Sequence, residues 1–382
     1  MFDKDTVDKF SGLRTPFYYY DMEFLDKTID IIRNESGSYG YKIHYALKAN
    51  ANEKILRRIA SAGFGADCVS GNEILMAIKC GFKPGEIVFA GVGKTDDEIL
   101  TGIKNDIFSF NVESLEEIGV INKLAEENNY TARISIRINP NVNAFTHDYI
   151  TTGIEEAKFG INIWELEEVI EKIHASGNIE LIGLHFHIGS QIRRMSAFRS
   201  LCTRINELQE WFEDHNIEIK HINAGGGLAI DYKNPERITD FKEYFSIFNE
   251  HLKLHKGQVL HFEPGRSVCG QAGSLITRVL YTKDGRKTRF AIVDAGMTDL
   301  IRPALYQAYH KIENITSADV QEKYNVVGPI CESSDSFAKY IDLPRTRRND
   351  LLAIRSAGAY GEVMTSNYNL REKAPSVFSD DL

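Results

Sequence analysis

An eightfold alternation constrains this chain more than any other feature. Short β-rich segments fall at Lys42–Leu47, Gly65–Val69, Ile87–Ala90, Ile107–Asn111, Arg133–Ile138, Leu181–Ile188, His221–Ala224 and Val259–Glu263. Amphipathic stretches such as Glu53–Ala62, Glu73–Cys80 and Leu115–Glu126 lie between them, with apolar residues at helical spacing. Strands that alternate with helices read as a parallel α/β architecture. A count of eight predicts a closed (β/α)8 barrel rather than an open doubly wound sheet. The connection Asn139–Asn162 after the fifth strand is long, as active-site excursions often are. The charges of Glu165–Glu171 read as a solvated helix face.

After about Arg266 the pattern changes. Ser274–Tyr281 and Thr288–Val293 read as strands joined by a turn at Lys283-Asp284-Gly285-Arg286, and Tyr324–Val327 and Leu351–Ile354 are short and β-like. The expected division is a barrel over residues 26–265 and a second, mainly β domain formed by 1–25 plus 266–382. Phe17–Tyr20 precedes the barrel pattern and is expected to join that second domain.

Bulk properties exclude several function classes. The net charge of −9 argues against a nucleic-acid binder, which needs a basic face. No apolar run approaches the roughly 18 residues that span a membrane, and MFDKDTVDKF has no apolar h-region, so no signal peptide is expected. The five cysteines are far apart and suit neither a disulfide framework nor a zinc cluster, which fits a cytoplasmic protein.

Chemistry-bearing residues gather at the ends of the expected strands, where reactive groups of β/α barrels lie. Lys48, in YALKAN, closes the first strand. Desolvated by apolar neighbours, its amine can form a Schiff base with an aldehyde cofactor, or it is a surface lysine. His185 and His187, two apart in HFHIGS, share one strand face. They can be satisfied core histidines, metal ligands, or a stacking partner for a flat ring, and no second HxH or ExxH pattern supports a metal. Gly225-Gly226-Gly227 after strand seven suits a phosphate, since bare backbone offers N–H groups, or simply a tight turn. Glu263 and Arg266 of EPGR, after strand eight, can pair with a pyridine nitrogen and a carboxylate, or form a surface ion pair. Arg302 and Tyr306 in RPALY, the GPICESSD stretch with Cys331 and Glu332, and Tyr360 between glycines complete the set.

In combination YALKAN, HFHIGSQI, GGG, EPGR and GPICESSD resemble the alanine-racemase-type (fold type III) pyridoxal-phosphate enzymes, and among them the diaminopimelate decarboxylases. The similarity runs from Thr15-Pro16-Phe17-Tyr18 to Tyr360-Gly361. It implies a lyase that converts meso-2,6-diaminopimelate to L-lysine and CO2, the last step of lysine biosynthesis. It also implies roles. Lys48 would carry pyridoxal phosphate and His187 would stack on its ring. Ser190, Gly226, Gly227 and Tyr360 would bind the phosphate with the N–H groups of Gly265 and Arg266. Glu263 would pair with the ring nitrogen, and Asp67 and Arg137 would support the site. Arg266, Arg302, Tyr306, Glu332 and Tyr360 would hold substrate, with Cys331 as proton donor. The Cys331 loop would reach a neighbouring subunit, which implies a homodimer with shared sites. Many members continue further past Ser366-Asn367-Tyr368-Asn369, which bears on the edge of the β domain. Alternatives are a lysine or ornithine decarboxylase, a racemase on the same fold, a metal-dependent barrel hydrolase, and a non-catalytic cofactor carrier.

Overall fold

The computed structural model describes residues 2–142, 158–286 and 288–382. Strand β1 (Phe17–Tyr20) comes first. Eight strands then follow in chain order: β2 (Lys42–Ala46), β3 (Gly65–Cys68), β4 (Ile87–Phe89), β5 (Ser109–Val112), β6 (Ala132–Arg137), β7 (Ile179–His185), β8 (His221–Asn223) and β9 (Val259–Phe262). Each pairs in parallel with the next, and β9 closes on β2 through Lys42↔His261 and Ile43↔Phe262. The expected (β/α)8 barrel is therefore present. Its strands sit within a few residues of the segments read from sequence.

The helices between them form for local reasons. Asn52, Ser70, Thr95 and Ser114 each cap a following helix with a side-chain oxygen, and Thr95 with Glu98 makes a reciprocal capping box. Helix Leu166–His174 turns Leu166, Val169, Ile170 and Ile173 inward and leaves Glu167, Glu168 and Glu171 in solvent, as its charge pattern suggested. Of the long connection Asn139–Asn162, residues 143–157 lie outside the described ones. No described helix is long and apolar enough to cross a membrane.

Two compact units emerge. One comprises 29–229 and 240–265, and holds the barrel. The other comprises 1–28, 230–239 and 266–382. The stretch 230–239, which the sequence reading left in the barrel, thus clusters with the β-rich unit. Its anchors explain why: Gln271 Nε2 donates to the carbonyls of Pro235 and Arg237, and Arg355 pairs with Glu236.

In the β-rich unit, strand β10 (Gly273–Asp284) is central. Its first half pairs with β1, and its second half pairs with β11 (Arg289–Val293). Lys283 and Asp284, expected in the turn, extend β10 instead, and the reversal falls after Gly285. The sheet also contains β12 (Ile312–Asn314), β13 (Gln321–Val327), β14 (Ser336–Pro344) and β15 (Leu351–Ile354), in the order β12-β15-β10-β11-β13-β14. A last strand, β16 (Ser376–Phe378), adds in parallel to β1. Phe10, Phe17, Tyr19, Ile276, Leu351 and Ala353 form a core here, with Phe10 edge-on to Phe17 and Tyr19.

The barrel interior is unusually polar. At one end His44 Nδ1 faces the Glu86 carbonyl at 3.0 Å, so that nitrogen carries hydrogen. In the neutral ring Nε2 then accepts from His261 Nδ1 at 2.8 Å, and His261 Nε2 accepts from His221 Nδ1 at 3.0 Å. One carbonyl therefore sets three tautomers. Burial holds His44 below the ordinary histidine value and His261 well below it. The unfolded chain takes up protons near pH 6.5 that these folded histidines refuse, so their contribution is complete above that pH and is lost on acidification. His261→Asn should therefore lose less stability than wild type between pH 6.5 and 5.5, by about 1 kcal/mol over that interval. Denaturant titrations across that range check this, and parallel profiles would contradict it.

Candidate active site

The site residues of the barrel unit are built from strand ends. Chain β2 leaves the barrel through a single tight turn, Leu47–Ala49, in which Leu47 and Ala49 are buried and Lys48 is a third exposed. Lys48 Nζ lies 2.5 Å from Oδ2 of Asp67, which is completely buried at the end of β3. Burial, together with the charge of Glu263, raises the Asp67 carboxyl to about 6 against the pull of Lys48.

Glu263, just past β9, is held by side chains from three other strands. His185 Nε2 meets its Oε2 at 2.9 Å, and Asn223 Nδ2 and Asn111 Nδ2 donate to its Oε1 at 2.7 and 3.4 Å. Strands β5 and β9 do not pair, so the Asn111 contact crosses the barrel lumen. Burial alone would raise the Glu263 carboxyl, but His185, Lys48 and His187 outweigh it and hold it below the usual carboxylate range. His185 and His187 thus take separate roles. Strand β7 ends at His185, and His187 lies beyond it, with Nδ1 3.3 Å from the Gly226 N–H. Burial, Arg137 and Lys48 keep His187 well below the ordinary histidine value, so its ring is neutral.

The three glycines need to be glycines. Gly225 and Gly227 have φ of +70° and +100°, and a Cβ on Gly226 would strike the backbone carbonyl of Glu263. Ser190 is half-buried in the loop after β7, and Gly265 is buried against Ala46 and Ala49. Arg137, at the end of β6, donates to Glu113 at 2.9 Å and lies over the Phe159 ring. Glu113 also accepts from the Gly91 and Gly160 N–H groups, and the Glu113 N–H binds Glu117, which pairs with buried Lys94.

The β-rich unit holds the remaining residues. Arg266 opens the short helix Arg266–Cys269, and its guanidinium lies 4.7 Å from the ring centre of Tyr360, whose φ is +55°. Arg302 and Tyr306 begin and end the helix Arg302–Tyr306, Arg302 buried and Tyr306 half-buried. Both Arg266 and Arg302 donate to the Tyr232 hydroxyl. Cys331 and Glu332 are exposed: the Cys331 N–H donates to Asn369, and Glu332 accepts from Tyr368. Their loop is pinned by buried Asp335, which accepts from the N–H groups of Met297 and Ile330 at 2.7 Å each.

Residues 27–270 match the family described as pyridoxal-dependent decarboxylase, pyridoxal binding domain. A diaminopimelate decarboxylase from Bacteroides thetaiotaomicron is 56% identical over 98% of both chains. The chain belongs to the diaminopimelate decarboxylases. A relative of that name from Aquifex aeolicus is 39% identical over 96% of this chain and 87% of its own. The crystal structure of diaminopimelate decarboxylase from Helicobacter pylori complexed with L-lysine superimposes with a TM-score of 0.93. It is 39% identical and covers 99% of this chain and 94% of that one.

Membership in this family brings pyridoxal phosphate as cofactor, and the residues of the barrel unit fit it. An ionised, buried carboxylate suits a protonated ring nitrogen, and a neutral imidazole suits a flat ring. Backbone closed to any Cβ at Gly226 suits a phosphate. Among the described residues, buried Asp67 Oδ1, Asn111 Oδ1 and His185 Nδ1 have no hydrogen-bond partner, an expense a polar ligand can relieve.

Sequence reasoning missed Asn111, Asn223 and the task of His185. A signal for them was present: in SFNV, IELIGLH and HIN polar or small residues recur every second position, which marks one strand face. The fit of Glu263 to a ring nitrogen predicts that removing the His185 donor weakens cofactor binding. His185→Phe is expected to raise the pyridoxal-phosphate dissociation constant by tenfold or more, from about 1.5–3 kcal/mol for a hydrogen bond to a charged group. Equilibrium titration followed by absorbance checks this, and unchanged affinity would contradict it.

Proposed function

We propose that this chain decarboxylates meso-2,6-diaminopimelate to L-lysine and CO2 with pyridoxal phosphate, the closing step of lysine biosynthesis. Identity to enzymes of that name over nearly the whole chain supports the reaction. The observation that carries the substrate choice is Arg302. It is buried, and among the described residues it pairs with no carboxylate, its polar partners being Tyr232 and His310. A buried guanidinium without an anion suits a substrate that brings one. Lysine or ornithine as substrate has no second carboxylate to offer it.

Each residue then has a task. Lys48 holds the cofactor, and Asp67 orients its Nζ. Glu263, kept ionised, would pair with the ring nitrogen, His187 would stack on the ring, and Arg137 would support the site. Ser190, Gly226, Gly227 and Tyr360 bind the phosphate with the N–H groups of Gly265 and Arg266. When bound, pyridoxal phosphate supplies an electron sink for the pair left behind by departing CO2. Arg266, Arg302, Tyr306 and Tyr360 hold the far carboxylate end of the substrate and Glu332 its far ammonium. Cys331 returns a proton to the carbon that loses CO2. A substrate without the far carboxylate would leave buried charge unpaired, the stronger form of discrimination.

The reading is tested by incubating the protein with meso-diaminopimelate and assaying L-lysine and CO2. Borohydride reduction followed by peptide mapping should place the cofactor on Lys48. Absence of product, or a label on another lysine, would overturn it.

We further propose a homodimer, in a cytoplasmic setting, whose sites are each shared by two chains. The exposure of the Cys331 thiol supports a role toward a second copy. Lys48→Ala and Cys331→Ala should each be nearly inactive. Refolded together they form about half mixed dimers, each with one intact site, so about a quarter of wild-type activity should return. No recovery, with mixed dimers verified by mass, would rule out shared sites.

A further inference from the structure

The β-rich unit contains a cluster that the roles above leave unexplained. Two guanidiniums converge on one phenol: Arg266 Nη1 lies 2.8 Å and Arg302 Nη1 2.5 Å from the Tyr232 hydroxyl oxygen. All three residues are buried. Two like charges brought this close repel, and a shared acceptor offsets part of that repulsion. Tyr232 meets Arg302 twice, since the Arg302 guanidinium also lies 5.4 Å from the phenol ring centre.

The phenol is itself held. Its ring packs edge-on against His310 at 5.1 Å. His310 Nδ1 faces the Arg355 carbonyl at 2.9 Å, which makes that nitrogen the hydrogen carrier and leaves Nε2 as the acceptor toward Arg302, at 3.5 Å. Burial and the neighbouring Arg302 keep this imidazole neutral, its value lowered to about 3. Arg355 pairs in turn with Glu236, on the same excursion as Tyr232, and with Glu313. The excursion 230–239 is therefore fastened at both Tyr232 and Glu236. Although Tyr232 is buried, which raises a phenol, Arg266 and Arg302 bring it below the ordinary tyrosine value, so its oxygen bears part of the anion's role.

We propose that Tyr232 is a specificity-determining positioning residue, whose hydroxyl oxygen gathers Arg266 and Arg302 into one double-cation clamp for the substrate's far carboxylate. The inference rests on the assignment of those arginines to that carboxylate. Tyr232 acts through the arginines, so its loss is felt by ligands that carry the carboxylate and not by those that lack it.

L-Lysine and 1,5-diaminopentane separate the two cases. Lysine retains the far carboxylate, and the diamine is the same molecule without it. Tyr232→Phe removes the oxygen and keeps the ring that packs on His310. In the cofactor-loaded variant, KM for meso-diaminopimelate and the inhibition constant of L-lysine should each rise roughly tenfold, the loss of one charge-assisted hydrogen bond. Inhibition by 1,5-diaminopentane and the cofactor absorbance should stay as in wild type, and kcat should change far less than KM. Equal weakening of both inhibitors would make Tyr232 a general structural support and overturn the proposal, as would unchanged values for both. Arg302→Ala, measured alongside, tells the two readings apart. If it raises KM while Tyr232→Phe does not, only the Tyr232 proposal fails, and if neither does, the carboxylate assignment fails with it.

Discussion

Glu263 is an ionised carboxylate with almost no contact with water, and the interior of the barrel is arranged around that fact. An isolated buried charge is costly enough that a carboxyl would ordinarily take up a proton instead. Here His185, Asn223 and Asn111 reach it from three other strands. Barrels of this type usually fill their interiors with branched apolar side chains. This one places Asp67, Asn111, Arg137, His185 and Asn223 there, a lining that suits a polar ligand better than an apolar core. The apolar faces of the same strands, with Ile43, Phe110, Ile134, Leu184 and Phe262, support the fold and leave the lumen free for polar groups.

The β-rich unit meets the same difficulty with the opposite sign. Arg266 and Arg302 are buried cations, and both donate to the Tyr232 hydroxyl oxygen. Among the described residues Arg302 pairs with no carboxylate, and a phenol neutralises a guanidinium less fully than a carboxylate would, so Arg302 stays ordered while keeping an affinity for an anion.

The barrel was legible in the sequence because its signals are local. Strand period, helix period and caps such as Thr95 with Glu98 are each read within a dozen residues, and the strand ends followed from them. Lys48, Glu263 and the three glycines could be singled out because reactive positions in a barrel are tied to those ends. What escaped depends on contacts distant in sequence. Asn111 and Glu263 are 152 residues apart, and no local pattern joins them. Tyr232 sits among residues that look like a loop following a phosphate turn. Hydrogen bonds of Tyr232, Glu236 and Gln271 attach that loop to the β-rich unit, and their partners are distant in sequence. β14 and β16 were missed for a related reason: Ser336–Pro344 and Ser376–Phe378 are mixed in polarity, and they become strands by joining edges already present.

Strand β1 lies close to the start of the chain, yet both its partners come late, Phe17 beside Ile276 and Tyr18 beside Ser376. On the ribosome, which extends a chain by roughly 5–20 residues per second, many seconds separate the emergence of β1 from that of β16. The barrel strands, all read out between Lys42 and Phe262, can pair during that interval. β1 must wait for β10 and then for β16, and until then its Phe-Tyr-Tyr-Tyr stretch is an unmated apolar edge, the kind of segment that recruits foreign strands. Closing a loop of such length also slows the pairing once the partner appears. The order of synthesis thus places the time of greatest vulnerability before β16 leaves the exit tunnel, when the barrel can already be complete and the β-rich unit still lacks an edge.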